Sequence, residues 1–261
     1  MCLLACPLRT GRNQNKTYLL SPDSAKALNV PKFSIHNSVE LRGYTDIPKL
    51  DPINKELSAK LVRGYYTSVS YTDKQVGKVL AELHRLKLDK NTVVVLLSDH
   101  GFHLGEHGMW GKTTNSKTDT RVPLMISDPS LRYQPKASDT VVQLIDLYAT
   151  LSDLCGLPKP ETDGNSFAAI LKAKAYRGSG MAFSQFPDDM QFKGYPKTMG
   201  YAVHTNAFGY TEWIDLKADT IVARELYDYK TDPAENINVA ETPKYKKIRQ
   251  AFNRQVKLYR K

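Results

Sequence analysis

Cysteine is scarce in this 261-residue chain: three in all, Cys2, Cys6 and Cys155. Their spacing is no metal-binding pattern, and an odd count rules out a self-contained disulfide framework. Long apolar runs are missing too. No stretch approaches the roughly 20 residues a membrane span needs. The opening Met1 to Leu8 is apolar but too short for a signal peptide, and it lacks a basic start. Acidic residues are absent after Glu241, where eight basic residues stand. The formal charge of +10 is therefore mostly a property of the C-terminal tail, since 29 basic and 27 acidic residues elsewhere leave only +2. A hydrophobic content of 41% is enough for a packed core, in one large domain or two small ones.

One stretch organises the chain. Val93-Val94-Val95-Leu96-Leu97 is a continuous apolar run, three of its members β-branched, and it breaks into Ser98-Asp99-His100-Gly101. Such a run suits a strand buried on both faces, as in a parallel sheet. Ligands of open α/β sheets sit beyond the carboxyl ends of strands, which is where Asp99 and His100 fall. Gly101 would free the backbone to turn away. His103, Glu106, His107, Lys112 and Asp119 follow within twenty residues and can bear protons or bind metal. One reading is a polar loop in water. The other is a metal-assisted hydrolase site, because a carboxylate and an imidazole side by side can reach one cation and a lysine can hold an anionic group as a compact point charge.

Around this stretch the periodicities alternate. From Asn54 to Leu86, apolar residues recur at three and four, predicting a core-packed helix with a bend or close packing at Gly64 and Gly77. Val122 to Ile126 reads as the next strand, with Pro123 placing it at an edge or start. Val141 to Leu154 reads as a second amphipathic helix stopped by Gly156 and Pro158, with Cys155 as a small buried residue. Asp163 to Leu171 suggests a turn and a short helix, and Lys172 to Gly180 a linker. Beyond it, Met181–Phe186, Gly200–Thr205, Gly209–Ile214 and Arg224–Tyr229 are spaced as a small antiparallel sheet. In the tail, Tyr245, Ile248, Phe252, Val256 and Tyr259 form one face of a terminal helix, with lysines and arginines opposite. That face packs on a sheet; the basic face can attract polyanions.

The string Ser98 to Asn115, SDHGFHLGEHGMWGKTTN, followed by Val122-Pro123-Leu124, resembles the sulfatase family, within it the iduronate-2-sulfatase group. The resemblance extends upstream through Tyr65 to Leu86 and downstream to Met199-Gly200-Tyr201, Glu225 to Asp228 and Asp232-Pro233. It implies an α/β protein of the alkaline-phosphatase-like superfamily, with part of the sulfatase sheet and its flanking helices followed by a small α+β subdomain. The implied division is residues 1–53 as an irregular remnant of the signature region, 54–174 as the later half of the catalytic domain, and 175–261 as the subdomain. It implies hydrolysis of a sulfate ester on a sulfated carbohydrate such as a glycosaminoglycan. Asp99 and His100 would bind Ca2+, Lys112 would be catalytic by holding the sulfate, and His103 and His107 would be further substrate contacts. A lysosomal or secreted location follows from the same resemblance. So do rim positions for Tyr195, Lys197 and Trp213.

The family's Cys-x-Pro-x-Arg signature ends in a Thr-Gly-Arg that Thr10-Gly11-Arg12 resembles. At the family spacing its nucleophilic cysteine falls on Met1, and its Pro and Arg on Leu3 and Ala5. Cys6-Pro7-Leu8-Arg9 has the wrong spacing, so no nucleophile is assigned. The expectation is an incomplete or inactive chain with weak or no metal binding. A phosphoester hydrolase on the same scaffold, or a catalytically dead polyanion binder, are the alternatives. No specific nucleic-acid contact and no membrane span are expected.

Overall fold

The computed structural model describes residues 27–50, 53–131, 137–172, 174, 176, 178–188 and 196–260. Thr10-Gly11-Arg12, the cysteines at 2 and 6, and Tyr195 lie outside them. In chain order the elements are α1 (Val39–Arg42), α2 (Lys55–Arg85), β1 (Val94–Leu97), β2 (His103–Leu104), β3 (Trp110–Gly111), α3 (Lys117–Thr120), β4 (Leu124–Ser127), α4 (Asp146–Leu154), α5 (Ala168–Leu171), β5 (Ala182–Pro187), β6 (Thr198–His204), β7 (Phe208–Asp215), β8 (Thr220–Asp228) and α6 (Lys246–Tyr259). They fall into two compact units. The first contains residues 54–99 and 123–178; the second contains 21–53, 100–122 and 179–261.

In the first unit, Asn54 caps α2 by accepting a hydrogen bond from the Leu57 amide at 2.8 Å. The helix then runs unbroken for 31 residues. A Cβ on Gly64 or Gly77 would meet nothing within 4 Å, so neither glycine marks close packing. The core-packed helix of the sequence reading is not found. Only Ser58 and Val62 of α2 are buried, and Val79 is 69% exposed. The buried parallel strand is corrected as well. β1 pairs antiparallel with β4, Val94 opposite Ser127 and Leu97 opposite Leu124, in a sheet of two strands. Leu96 and Leu97 stay exposed, since among the described residues no other strand joins β1. An apolar run reports what a strand can bury and does not specify its neighbour.

α4 starts five residues later than its periodicity suggests. The Asp146 carboxylate accepts from the Gln143 and Asn165 amides, both at 2.9 Å, and so closes a turn ahead of the helix. Gly156, at φ +67°, ends it. Cys155 is a free, exposed thiol, not the buried residue expected, because it caps the end of α4 beside solvent.

The second unit is built on a four-stranded antiparallel sheet, β5-β6-β7-β8. Its strands match the four sequence-predicted ones. On β7, five consecutive residues from Tyr210 to Ile214 are buried, so both faces of the sheet's middle are covered. One cover is α6, whose Phe252 and Val256 join Val203, Tyr210 and Leu226 in the core. Phe252 stacks on Tyr210 at 5.5 Å between ring centroids. On the other side, Phe33 lies 5.6 Å from the Trp213 ring, and Asn115 bonds to the Gly200 carbonyl at 3.0 Å. Trp213 is therefore a core residue and not a rim one: it is 2% exposed, and its indole N–H donates to Glu225 at 2.7 Å. Lys197 is exposed. On α6 the lysines at 246, 247 and 257 and Arg254 are exposed, while Arg249 and Arg260 pair with Glu241 and Asp219.

Candidate functional site

The segment from His100 to Val122 packs within the second unit and carries most of the titratable residues that sequence singled out. Its frame is the short pairing of β2 with β3, His103 opposite Gly111 and Leu104 opposite Trp110. The link between them is tightly turned: Gly105 has φ +109°, His107 φ +54° and Gly108 φ +76°. Left-handed backbone is cheap for glycine and costly for histidine. Glu106 anchors the turn by accepting from the Leu104 amide.

Beneath this turn sits a buried polar cluster. His103 is fully buried. Its Nδ1 lies 2.9 Å from Asp119 Oδ1 and its Nε2 3.3 Å from Ser116 Oγ. The second Asp119 oxygen accepts from the Thr114 amide at 2.8 Å and from the Thr114 hydroxyl at 2.7 Å. Asp119 is a buried anchor for the 112–114 segment. His107 is 4% exposed, and its Nε2 is buried with no hydrogen-bond partner among the described residues. Gly101 passes so close to the same cluster that its amide donates to the Asp119 carbonyl at 2.7 Å.

Lys112 stands at the surface of this arrangement. Its ammonium meets both oxygens of Glu40, at 2.8 and 2.7 Å. Glu40 belongs to α1, which Ser38 ties to β3 by accepting from the Trp110 amide at 2.9 Å. Val39 and Thr113, the sequence neighbours of the pair, line a cavity of about 280 Å3 with Phe33, His36, Asn37 and Asp188 among others. Glu40 carried no local sequence signal, since it lies 72 residues before its partner.

Asp99 belongs to the first unit, as the last residue of its 54–99 segment, and is exposed. His100 belongs to the second unit, and its Nδ1 is 2.7 Å from the Gly101 carbonyl. That carbonyl needs a donor, so a neutral ring carries its proton on Nδ1 and its lone pair on Nε2, the form a metal ligand requires. One carboxylate and one imidazole are nevertheless a poor fit for Ca2+, which takes about six to eight oxygens. Among the described residues no group of three or more His, Cys, Asp and Glu is placed to hold a metal ion.

A proton chain runs behind the cluster. Tyr229 Oη is 2.7 Å from Glu235 Oε1 and 2.9 Å from His204 Nδ1, while His204 Nε2 is 2.9 Å from the Asn115 carbonyl. The carbonyl requires a proton on Nε2. Burial lowers the His204 pKa from 6.5 to about 4, so the ring is neutral. The Tyr229 hydroxyl donates to Glu235 Oε1, and Glu235 Oε2 accepts from the Lys117 amide at 2.9 Å. Burial likewise raises the Glu235 carboxyl above its ordinary value, outweighing the hydrogen bonds from Tyr229 and the Lys117 amide and the charges of Lys117 and His107.

The pH consequence has a defined sign. The His204 contribution to stability is present above pH 6.5 and is lost as pH falls toward about 4. The Glu235 contribution is present below 4.5 and is lost as pH rises toward its raised folded value. Glu235→Gln cannot ionise and so removes the second loss. Its urea midpoint should therefore improve relative to the parent as pH rises above 4.5. A relative decline over that range would mean Glu235 is a buried anion.

The sulfatase family model matches residues 12–157, and the model for the C-terminal part of N-sulphoglucosamine sulphohydrolase matches 105–261. Iduronate 2-sulfatase of Mus musculus is 28% identical over 305 residues, covering 89% of this chain and 55% of the relative. Delta 4,5-hexuronate-2-O-sulfatase of Bacteroides thetaiotaomicron is 30% identical over 200 residues, covering 75% of this chain and 40% of the relative. Phosphonate monoester hydrolase of Silicibacter pomeroyi superposes with a TM-score of 0.71 at 25% identity, over 83% of this chain and 44% of that one. The chain thus spans about half the length of the curated relatives it matches. With its α/β architecture and the Ser98–Asn115 motif folded as described, the chain belongs to the sulfatase family, in the alkaline-phosphatase-like superfamily.

Proposed function

We propose that this chain serves sulfuric ester hydrolysis on a sulfated carbohydrate, and more narrowly on the 2-O-sulfate of a uronic acid. Family membership supports the first statement. The second is supported by two relatives whose names specify a uronate 2-sulfate. The observation that carries the reading is Lys112, whose sequence neighbours Thr113 and Thr114 line a cavity of about 280 Å3. There it would hold the sulfate as a point charge. His103 would act from beneath as a positioning residue, its two ring nitrogens engaged by Asp119 and Ser116, and His107 would brace the turn above it.

Sulfatases in general depend on a metal. By motif, Asp99 and His100 are the proposed ligands here and Ca2+ the proposed ion, with the two side chains alone giving weak affinity. A lysosomal or secreted location belongs to the same proposal; among the described residues no helix is long and apolar enough to cross a membrane.

Calorimetric titration of the full chain with a 2-O-sulfated uronate disaccharide and its desulfated counterpart tests the reading. The sulfated sugar should bind at least about tenfold tighter, a difference worth about 1.4 kcal/mol, and Lys112→Ala should erase it. Equal affinities for the two sugars would overturn it.

A further inference from the structure

Glu40 is placed to do more than neutralise a surface lysine. Its backbone is held: Ser38 bonds to β3, the Ser38 amide donates to His36 Nδ1 at 2.9 Å, and Arg42 donates to the Asn37 carbonyl at 2.8 Å. His36, Asn37 and Val39 line the same cavity as Thr113 and Thr114, and Glu40 and Lys112 adjoin these two wall segments in sequence. A ligand anion approaching Lys112 therefore meets a fixed carboxylate as well as the ammonium. Its attraction to Lys112 and its repulsion from Glu40 both scale with its own charge, so Glu40 removes more binding from a dianion than from a monoanion.

We propose that Glu40 is a specificity-determining residue, a charge filter that admits singly charged ester anions to Lys112 and disfavours dianions. A sulfate monoester carries one negative charge, whereas a phosphate monoester carries close to two at pH 8. The inference rests on the reading that Lys112 binds the ester anion. Glu40 separates sulfate from phosphate chemistry by charge, where the near-identical tetrahedral shapes of the two groups cannot.

The test is calorimetric binding of 4-nitrophenyl sulfate and 4-nitrophenyl phosphate at pH 8 and low ionic strength, with the full chain. Glu40→Gln should tighten the sulfate about threefold and the phosphate about tenfold, and added salt should shrink both gains. Glu40→Asp, which keeps the charge, should retain the parent's preference. Glu40 is 54% exposed, so an unchanged thermal midpoint is expected in both variants. Equal gains for the two ligands, or none, overturn the filter. Lys112→Met in the Glu40→Gln background separates the two claims. If it weakens neither ligand, the assignment of Lys112 fails and the filter with it; if it weakens both while Glu40→Gln leaves their ratio unchanged, only the filter fails.

Discussion

Gly101→Ala should cost about 4 kcal/mol or more of folding stability, the range reserved for a buried group with nowhere to go. A Cβ at this position would stand 1.9 Å from the Thr118 carbonyl oxygen, 2.9 Å from its carbon and 3.1 Å from the Asp119 Cα. All three are backbone atoms, so no side-chain rotation relieves the clash. Nor can the two segments simply separate, because the Gly101 amide donates to the Asp119 carbonyl at 2.7 Å. Glycine is required here for close approach of two backbones, not for the turn that the sequence reading gave it. Gly64→Ala is the matched control. Its Cβ meets nothing within 4 Å on an exposed helix, and it should gain up to about 1 kcal/mol. Urea unfolding followed by tryptophan fluorescence checks both. A Gly101→Ala variant within about 1 kcal/mol of the parent would mean that the 101 and 118 backbones do not touch in solution.

What could be read from sequence divides along a physical line. Features set by local period were legible. The spacing of the four segments and their turn residues gave the antiparallel sheet, and the spacing of Tyr245, Phe252 and Val256 gave the buried face of α6. Features set by a distant partner were not. The five apolar residues before Ser98 announce a strand, but its single antiparallel neighbour β4 is a tertiary fact. The apolar repeat of α2 announces a helix with a sticky face, and the first unit covers only Ser58 and Val62. The candidate site shows the same division. The DHG and Lys112 positions stood out through motif, while Asp119 looked like one more polar loop residue and Glu40 like surface charge. Their roles come from contacts 16 and 72 residues away. Trp213 misled for a related reason: an aromatic at a rim and an aromatic in a core look alike until the Glu225 acceptor is seen.

Asp119 is the residue on which this missed information concentrates, and Asp119→Ala should lose about 3–5 kcal/mol, because each donor left without its acceptor costs about 1–3 kcal/mol. Three donors lose their acceptor at once: His103 Nδ1, the Thr114 amide and the Thr114 hydroxyl. His103 is fully buried and cannot turn to water for a substitute. Asp119→Asn should be milder, since Oδ1 can still serve His103 while its amide group faces the Thr114 N–H. The double variant His103→Leu, Asp119→Ala removes the orphaned ring as well as its acceptor. It should be less destabilised than the sum of the single variants by about 1 kcal/mol or more, because groups in direct contact are not additive. Strict additivity would mean that the two side chains are not partners. Because Thr114 fixes the segment that begins at Lys112, Asp119→Ala should also weaken 4-nitrophenyl sulfate binding under conditions where the variant remains folded. Unchanged binding there would show that Lys112 keeps its position without the buried cluster.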